Sequence, residues 1–136
     1  MRNLNVLLFV TFVLWNLSCI SQKRTTNVPF EVSNASYFSW AVHEQEKGTT
    51  VEVELKNIAP GVEFDSIIFR NVMLPVRLSE NKKGKHTLSA ILPAGNSRLP
   101  VQTRYVARPD QLIFHFEGER RTEPLTQITR KDMIYY

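Results

Sequence analysis

The sequence predicts an all-β chain: a single immunoglobulin-like antiparallel β-sandwich of about seven strands, preceded by a helical signal peptide. Three observations carry that expectation. From Ala35 onward, short β-branched and aromatic runs are separated by turn residues at roughly 8–12-residue spacing. Several of these runs repeat with a period of two, the pattern of a strand with one buried face. Outside residues 1–18 no run has the length and period of an amphipathic helix.

The elements follow in order. Val6 to Trp15 is apolar, starts after Arg2, and ends in Asn16-Leu17-Ser18-Cys19. A helix needs roughly 20 apolar residues to cross a bilayer, so this shorter run reads as a signal peptide and not as a permanent span. Cleavage before Cys19 would free a thiol and an amine for acylation, so residues 1–18 are assigned to a lipoprotein signal. An ordinary secretory signal cut near Ser18 or Ser21, with Cys19 incidental, is the alternative. Residues 19–34 form the lipidated cysteine and a polar tether that contains Pro29. Residues 35–136 form the sandwich domain.

Within the domain, Ser36-Tyr37-Phe38-Ser39-Trp40-Ala41-Val42 is the first strand and Lys47-Gly48 a turn. Thr49 to Leu55 alternates: Val51, Val53 and Leu55 face a core, while Glu52 and Glu54 face water. Ala59-Pro60-Gly61 breaks the chain before the strand Phe64 to Arg70. Val72 to Leu78 reads as one short strand, and Pro75 places it at an edge. Asn81-Lys82-Lys83-Gly84 turns into the strand Lys85 to Leu92, and a loop follows from Pro93 to Arg104. Gln111 to Glu117 and Leu125 to Thr129 flank Gly118 as a hairpin, and the chain ends on Met133-Ile134-Tyr135-Tyr136.

Composition narrows the function classes. The formal net charge of +4 is mild, and losing Arg2 with the signal lowers it by one. A nucleic-acid binder concentrates more positive charge, so no nucleic acid is expected as a partner. The single cysteine rules out an internal disulfide and a thiolate zinc site. No cofactor and no metal are expected. There is no Gly-x-Ser-x-Gly elbow and no Gly-rich phosphate loop. His115 lies between Phe114 and Phe116, so alternation turns it away from the core; His86 follows a lysine turn and reads as surface. His43 and the pair Glu44 and Glu46 fall on opposite faces of an extended strand, and Glu52 and Glu54 read as a solvated face. The expectation is that the chain is not an enzyme.

The candidate contact residues are therefore of two kinds. Lys82, Lys83 and Lys85, with Arg120-Arg121 and Arg130-Lys131 elsewhere, are basic clusters near turns that would attract an anionic glycan or lipid head group. Tyr135 and Tyr136 form a terminal aromatic patch. Tyr37 and Phe38 cannot both point inward, so one of them is free for an interface. Asn34-Ala35-Ser36 matches an N-glycosylation acceptor by chance, and Asp65-Ser66-Ile67 resembles an O-glycosylation sequence of Bacteroidetes.

Tyr37-Phe38-Ser39-Trp40-Ala41-Val42, Asp65-Ser66-Ile67-Ile68-Phe69-Arg70-Asn71 and Glu117-Gly118-Glu119 together resemble a family of small lipoproteins of Bacteroidetes, chiefly flavobacterial. Asn71 stands where that family usually has Gly, and the Met133-Ile134-Tyr135-Tyr136 end lacks its Pro. The resemblance implies a lipid-anchored, β-rich protein and carries over no catalytic residue. Surface-displayed lipoproteins of that group tend to carry acidic residues after the cysteine; here Lys23 and Arg24 follow. By that resemblance the protein is expected in the cell envelope, anchored to the outer membrane through acyl chains on Cys19 and facing the periplasm. The expected role is a non-enzymatic protein-binding or accessory subunit of an envelope assembly. The alternative is a binding module for anionic glycan or lipid head groups.

Overall fold

The computed structural model describes residues 27–43, 46–81, 83–94 and 104–136. The signal peptide, Cys19, Glu44 and Lys82 lie outside these residues. The described chain is all β, with eleven strands. They are β1 (Glu31–Val42), β2 (Glu46–Lys56), β3 (Glu63–Phe69), β4 (Val72–Pro75), β5 (Arg77–Glu80), β6 (His86–Pro93), β7 (Arg104–Tyr105), β8 (Gln111–Phe116), β9 (Glu119–Pro124), β10 (Thr129–Arg130) and β11 (Ile134–Tyr135).

Two sheets pack face to face. The first runs β10-β1-β2-β6-β5, with β11 also paired to β1; the second runs β7-β4-β3-β8-β9. Strip off the short strands β7, β10 and β11 and the order is that of an immunoglobulin-type sandwich: β1, β2, β6 and β5 in one sheet, β4, β3, β8 and β9 in the other. No disulfide joins the sheets. Aromatic rings bridge them instead: Phe30 meets Phe64 at 5.3 Å and Phe114 at 4.8 Å, both edge to face. Nearer the far end, Tyr37 meets Phe69 at 5.3 Å. Edge and tilted contacts of this kind suit the ring quadrupole.

The inner face of the first sheet follows the alternation of β2: Val51, Val53 and Leu55 are buried against Leu88 and Ala90 of β6. Tyr37 packs on this core and Phe38 does not, so the two adjacent aromatics do divide between the faces. In the second sheet Ile67, Phe69, Leu112 and Phe114 point to the core. Their neighbours Ile68 and Ile113 point the other way, yet are 0% and 1% exposed. Ile113 sits opposite Ser66 and Thr122, and Ile68 opposite Met73 and Gln111. That sheet therefore has an apolar patch on each side, and its strands show continuous apolar runs where alternation would be expected of a half-exposed strand.

Several boundaries differ from the expected ones for identifiable reasons. β1 starts at Glu31, before Ala35, because Phe30 is buried between the sheets and pulls the preceding backbone inward. The expected strand Val72–Leu78 is two strands in two different sheets. The chain crosses between them at Val76, whose side chain stays on the core. Pro75 pairs only with Ser66, whereas β7 reaches only Val72 and Met73 of β4; the missing N–H of Pro75 therefore leaves no ladder bond unmade. The partner of β8 is β9 and not Leu125–Thr129: Leu125 is buried, and the chain there leaves the second sheet for the first. There β10 and β11 pair parallel to β1, a departure from a purely antiparallel sandwich.

Two hairpins turn on two residues, Arg70-Asn71 and Glu117-Gly118, all four with positive φ. That is the mirror-image turn whose twist matches paired strands. Asn71 takes the left-handed conformation more readily than most residues, so it serves where a glycine is usual.

Candidate interaction surfaces

The lysine turn is built by Asn81. Its side-chain Oδ1 accepts the backbone N–H of Lys83 at 2.9 Å and of Lys85 at 3.1 Å, while its own N–H donates to the Lys85 carbonyl at 3.0 Å. The backbone is closed on itself and both lysine side chains are exposed. Glu31 pairs with Lys56 and Leu55 with His86. The start of β1, the end of β2 and the start of β6 thus share one end of the sheet. The lysine turn lies where the chain enters the domain.

The terminal tyrosines lie toward the opposite end. Ile134 and Tyr135 pair in parallel with Trp40 and Ala41, and the Tyr136 N–H donates to the Ala41 carbonyl at 3.0 Å. Tyr135 is 76% and Tyr136 71% exposed, with Met133 and Ile134 also open to solvent. Register puts Ile134 on the outer face beside Trp40. Trp40 lies flat over Gly48, where an added Cβ would come within 2.7 Å of the indole, and its Nε1 donates to Thr50 Oγ1 at 3.0 Å. Phe38 and Ile91 flank Thr50 on the same face, both half-buried. Phe38, Trp40, Ile91, Ile134 and Tyr136 therefore form one apolar and aromatic surface at the far end of the first sheet. Sequence reading singled out the terminal tyrosines and one of the Tyr37–Phe38 pair. It missed Ile91 and the way β11 aligns with Trp40, because that pairing spans almost the whole domain.

The tail that brings β11 there is tied down midway. The Lys131 N–H donates to the Tyr37 carbonyl at 2.8 Å, and its ammonium pairs with Glu52 at 3.0 Å. Arg120 reaches Asp65 at 3.5 Å, and Arg121 contacts both Glu117 and Glu119, so these arginines have partners within the domain.

The remaining candidates are separate. His43, exposed with φ 54°, ends the first strand; His86 is half-buried; His115 is exposed opposite Arg120. Ser66 is buried in β3 and donates its hydroxyl to Asp65 at 3.1 Å, which leaves the Asp65-Ser66-Ile67 hydroxyl inaccessible in the folded domain. A cleft of about 330 Å³ lies between the bulge of β1 and the crossover after β9, lined by Val32, Asn34, Glu123, Leu125 and Gln127. Partial burial there raises the Glu123 carboxyl above the usual glutamate range. Among the described residues no helix is long and apolar enough to cross a membrane. No protein-family model, curated protein or solved structure matches the chain.

Proposed function

We propose that this chain is a lipid-anchored, non-enzymatic accessory subunit of an envelope assembly, related to the Bacteroidetes lipoproteins it resembles. It is held at the outer membrane, facing the periplasm, through acyl chains on Cys19, and it docks a protein partner on the far end of its first sheet. The observation that supports this reading is the surface of Phe38, Trp40, Ile91, Ile134 and Tyr136, with Tyr135 beside it. Aromatic residues presented together on an exposed face are the usual anchors of a protein interface. Phe38 and Trp40 follow Glu31, the first residue of β1, by seven and nine residues, so the surface stands about 25–30 Å from the start of that strand. A partner there would not compete with the bilayer.

Crosslinking in cells tests it. The intact protein, tagged, is recovered from membranes and its adducts identified beside a Cys19→Ala control and a Trp40→Ser, Tyr136→Ser variant. One dominant protein adduct, lost in both controls, is expected. An adduct profile that the Trp40 and Tyr136 changes leave untouched would overturn the assigned surface.

The second reading, binding of anionic glycan or lipid head groups through Lys82, Lys83 and Lys85, draws support from the position of that turn at the tethered end. Changing the three lysines to Ser should then weaken binding to anionic vesicles, and added salt should do the same.

A further inference from the structure

We infer that Arg70, laid against the rings of Tyr37 and Phe69, is a receptor for the carboxylate of an acidic sugar. The guanidinium carbon sits 4.9 Å from the Tyr37 ring centroid and 5.0 Å from that of Phe69. The two rings are themselves 5.3 Å apart, so both lie on one side of the guanidinium, and the side chain remains exposed. Among the described residues no carboxylate comes within ion-pair distance of this guanidinium, unlike Arg120 and Arg121. Its planar edge of N–H donors is therefore oriented and unspent, and that edge matches a carboxylate in a two-point contact.

The backbone supports the same assignment. Arg70 has φ 49°, a conformation that costs an ordinary side chain energy and that Gly or Asn would adopt more cheaply in this turn. The turn by itself gives no reason for an arginine. Asp110 contacts the backbone of this residue: its Oδ1 accepts the Arg70 N–H at 2.8 Å. The Val106 N–H donates to the Asn71 carbonyl at 2.7 Å, which ties the segment carrying Arg104, Tyr105 and Arg108 to the same turn. Tyr105 pairs with Val72, two positions beyond Arg70, and is 73% exposed. An exposed ring on the strand paired next to this turn and an unpaired guanidinium on the turn itself offer a flat surface for a sugar and a fork for its acid group. Nothing in this site draws on the protein-docking surface or on the lysine turn.

The test is binding of oligogalacturonate to the intact chain by calorimetry, with its methyl ester, in which the carboxylates are masked, and inorganic phosphate as comparison ligands. Saturable binding of oligogalacturonate alone is expected. Arg70→Gln should weaken it about tenfold or more, the loss typical of a charge-assisted hydrogen-bond pair. Arg70→Lys, which keeps the charge and long stem but not the planar fork, should weaken it nearly as much, while Tyr105→Ser costs less. Arg120→Gln should bind as the parent does. No binding of oligogalacturonate, equal binding of the ester, or an Arg70→Lys protein that melts like the parent and binds like it would each overturn the proposal. Binding of phosphate alone would overturn the sugar assignment. Should Arg70→Gln fail to fold, the Arg70→Lys and Tyr105→Ser proteins decide the outcome.

Discussion

Strands β2 and β8 lie near the middle of their sheets and are built on opposite patterns. β2 alternates, with Val51, Val53 and Leu55 on the core and Glu52 and Glu54 in water. β8 is buried from Gln111 to Phe114 without a break, Leu112 and Phe114 on the core and Ile113 on the other side. The first sheet can be wrong by one residue only at the cost of placing two glutamates inside, so its register is fixed by its own sequence. The second has no such penalty along β8. Its register is held instead by the Glu117-Gly118 turn, by the Asp65 bulge of β3 and by side chains across the strands. Two sheets of one sandwich thus obtain the same definition by different means.

The largest expected effect tests whether the far side of the second sheet is packed like a core. Ile113→Ala should lower the unfolding free energy by about 2–5 kcal/mol, as Leu112→Ala should on the inner face. Urea unfolding of the two variants compares them; a loss under about 1 kcal/mol for Ile113 alone would make that side an ordinary surface. The outer face of the first sheet offers the next contrast. Gly48→Ala should cost about 1–3 kcal/mol, because its Cβ meets the Trp40 indole at 2.7 Å and the Leu92 carbonyl oxygen at 3.3 Å. Most of that cost should vanish in a Trp40→Ala background, and a double-mutant cycle measures how much. An unchanged cost would assign the crowding to the backbone of Leu92.

Elsewhere on that face substitutions should be cheap. Breaking the Glu52–Lys131 pair by Glu52→Gln should cost at most about 1 kcal/mol and less in high salt, since both side chains are partly in water. The smallest effect is a slope with pH. Burial raises the Glu123 carboxyl, so the folded chain holds that proton more tightly than the unfolded one. Stability then falls as pH rises from the ordinary glutamate range through the raised value. Glu123→Gln should flatten that part of the stability profile, measured as melting temperature against pH.

What the sequence made legible follows the same division. The alternation of β2 and the split of Tyr37 from Phe38 are local patterns, and a period of two is enough to read them. The sheet change at Val76 was hidden because Val72–Val76 has no polar break, and Val72, Leu74 and Val76 all stay on the core as the chain crosses between layers. Phe30 reads as part of a polar tether until its two partner rings are known. The Arg70-Asn71 turn lacks the Asn-Gly or Asp-Gly signature of its type. Most distant of all is the tail: two-residue strands carry no period, and their place beside β1 depends on contacts with residues almost a hundred positions away.

That tail also decides how the domain bears a load. The chain enters at the start of β1, and its last strand lies parallel to the end of the same β1. A pull between the start of β1 and the terminal tyrosines would not peel strands apart one bond after another. It would slide β11 and β10 along β1, so that the bonds from Lys131 to Tyr37 and from Tyr136 to Ala41 are strained together and must fail together. A load applied between the first and last strands would meet the sandwich in shear, the direction in which paired strands resist longest.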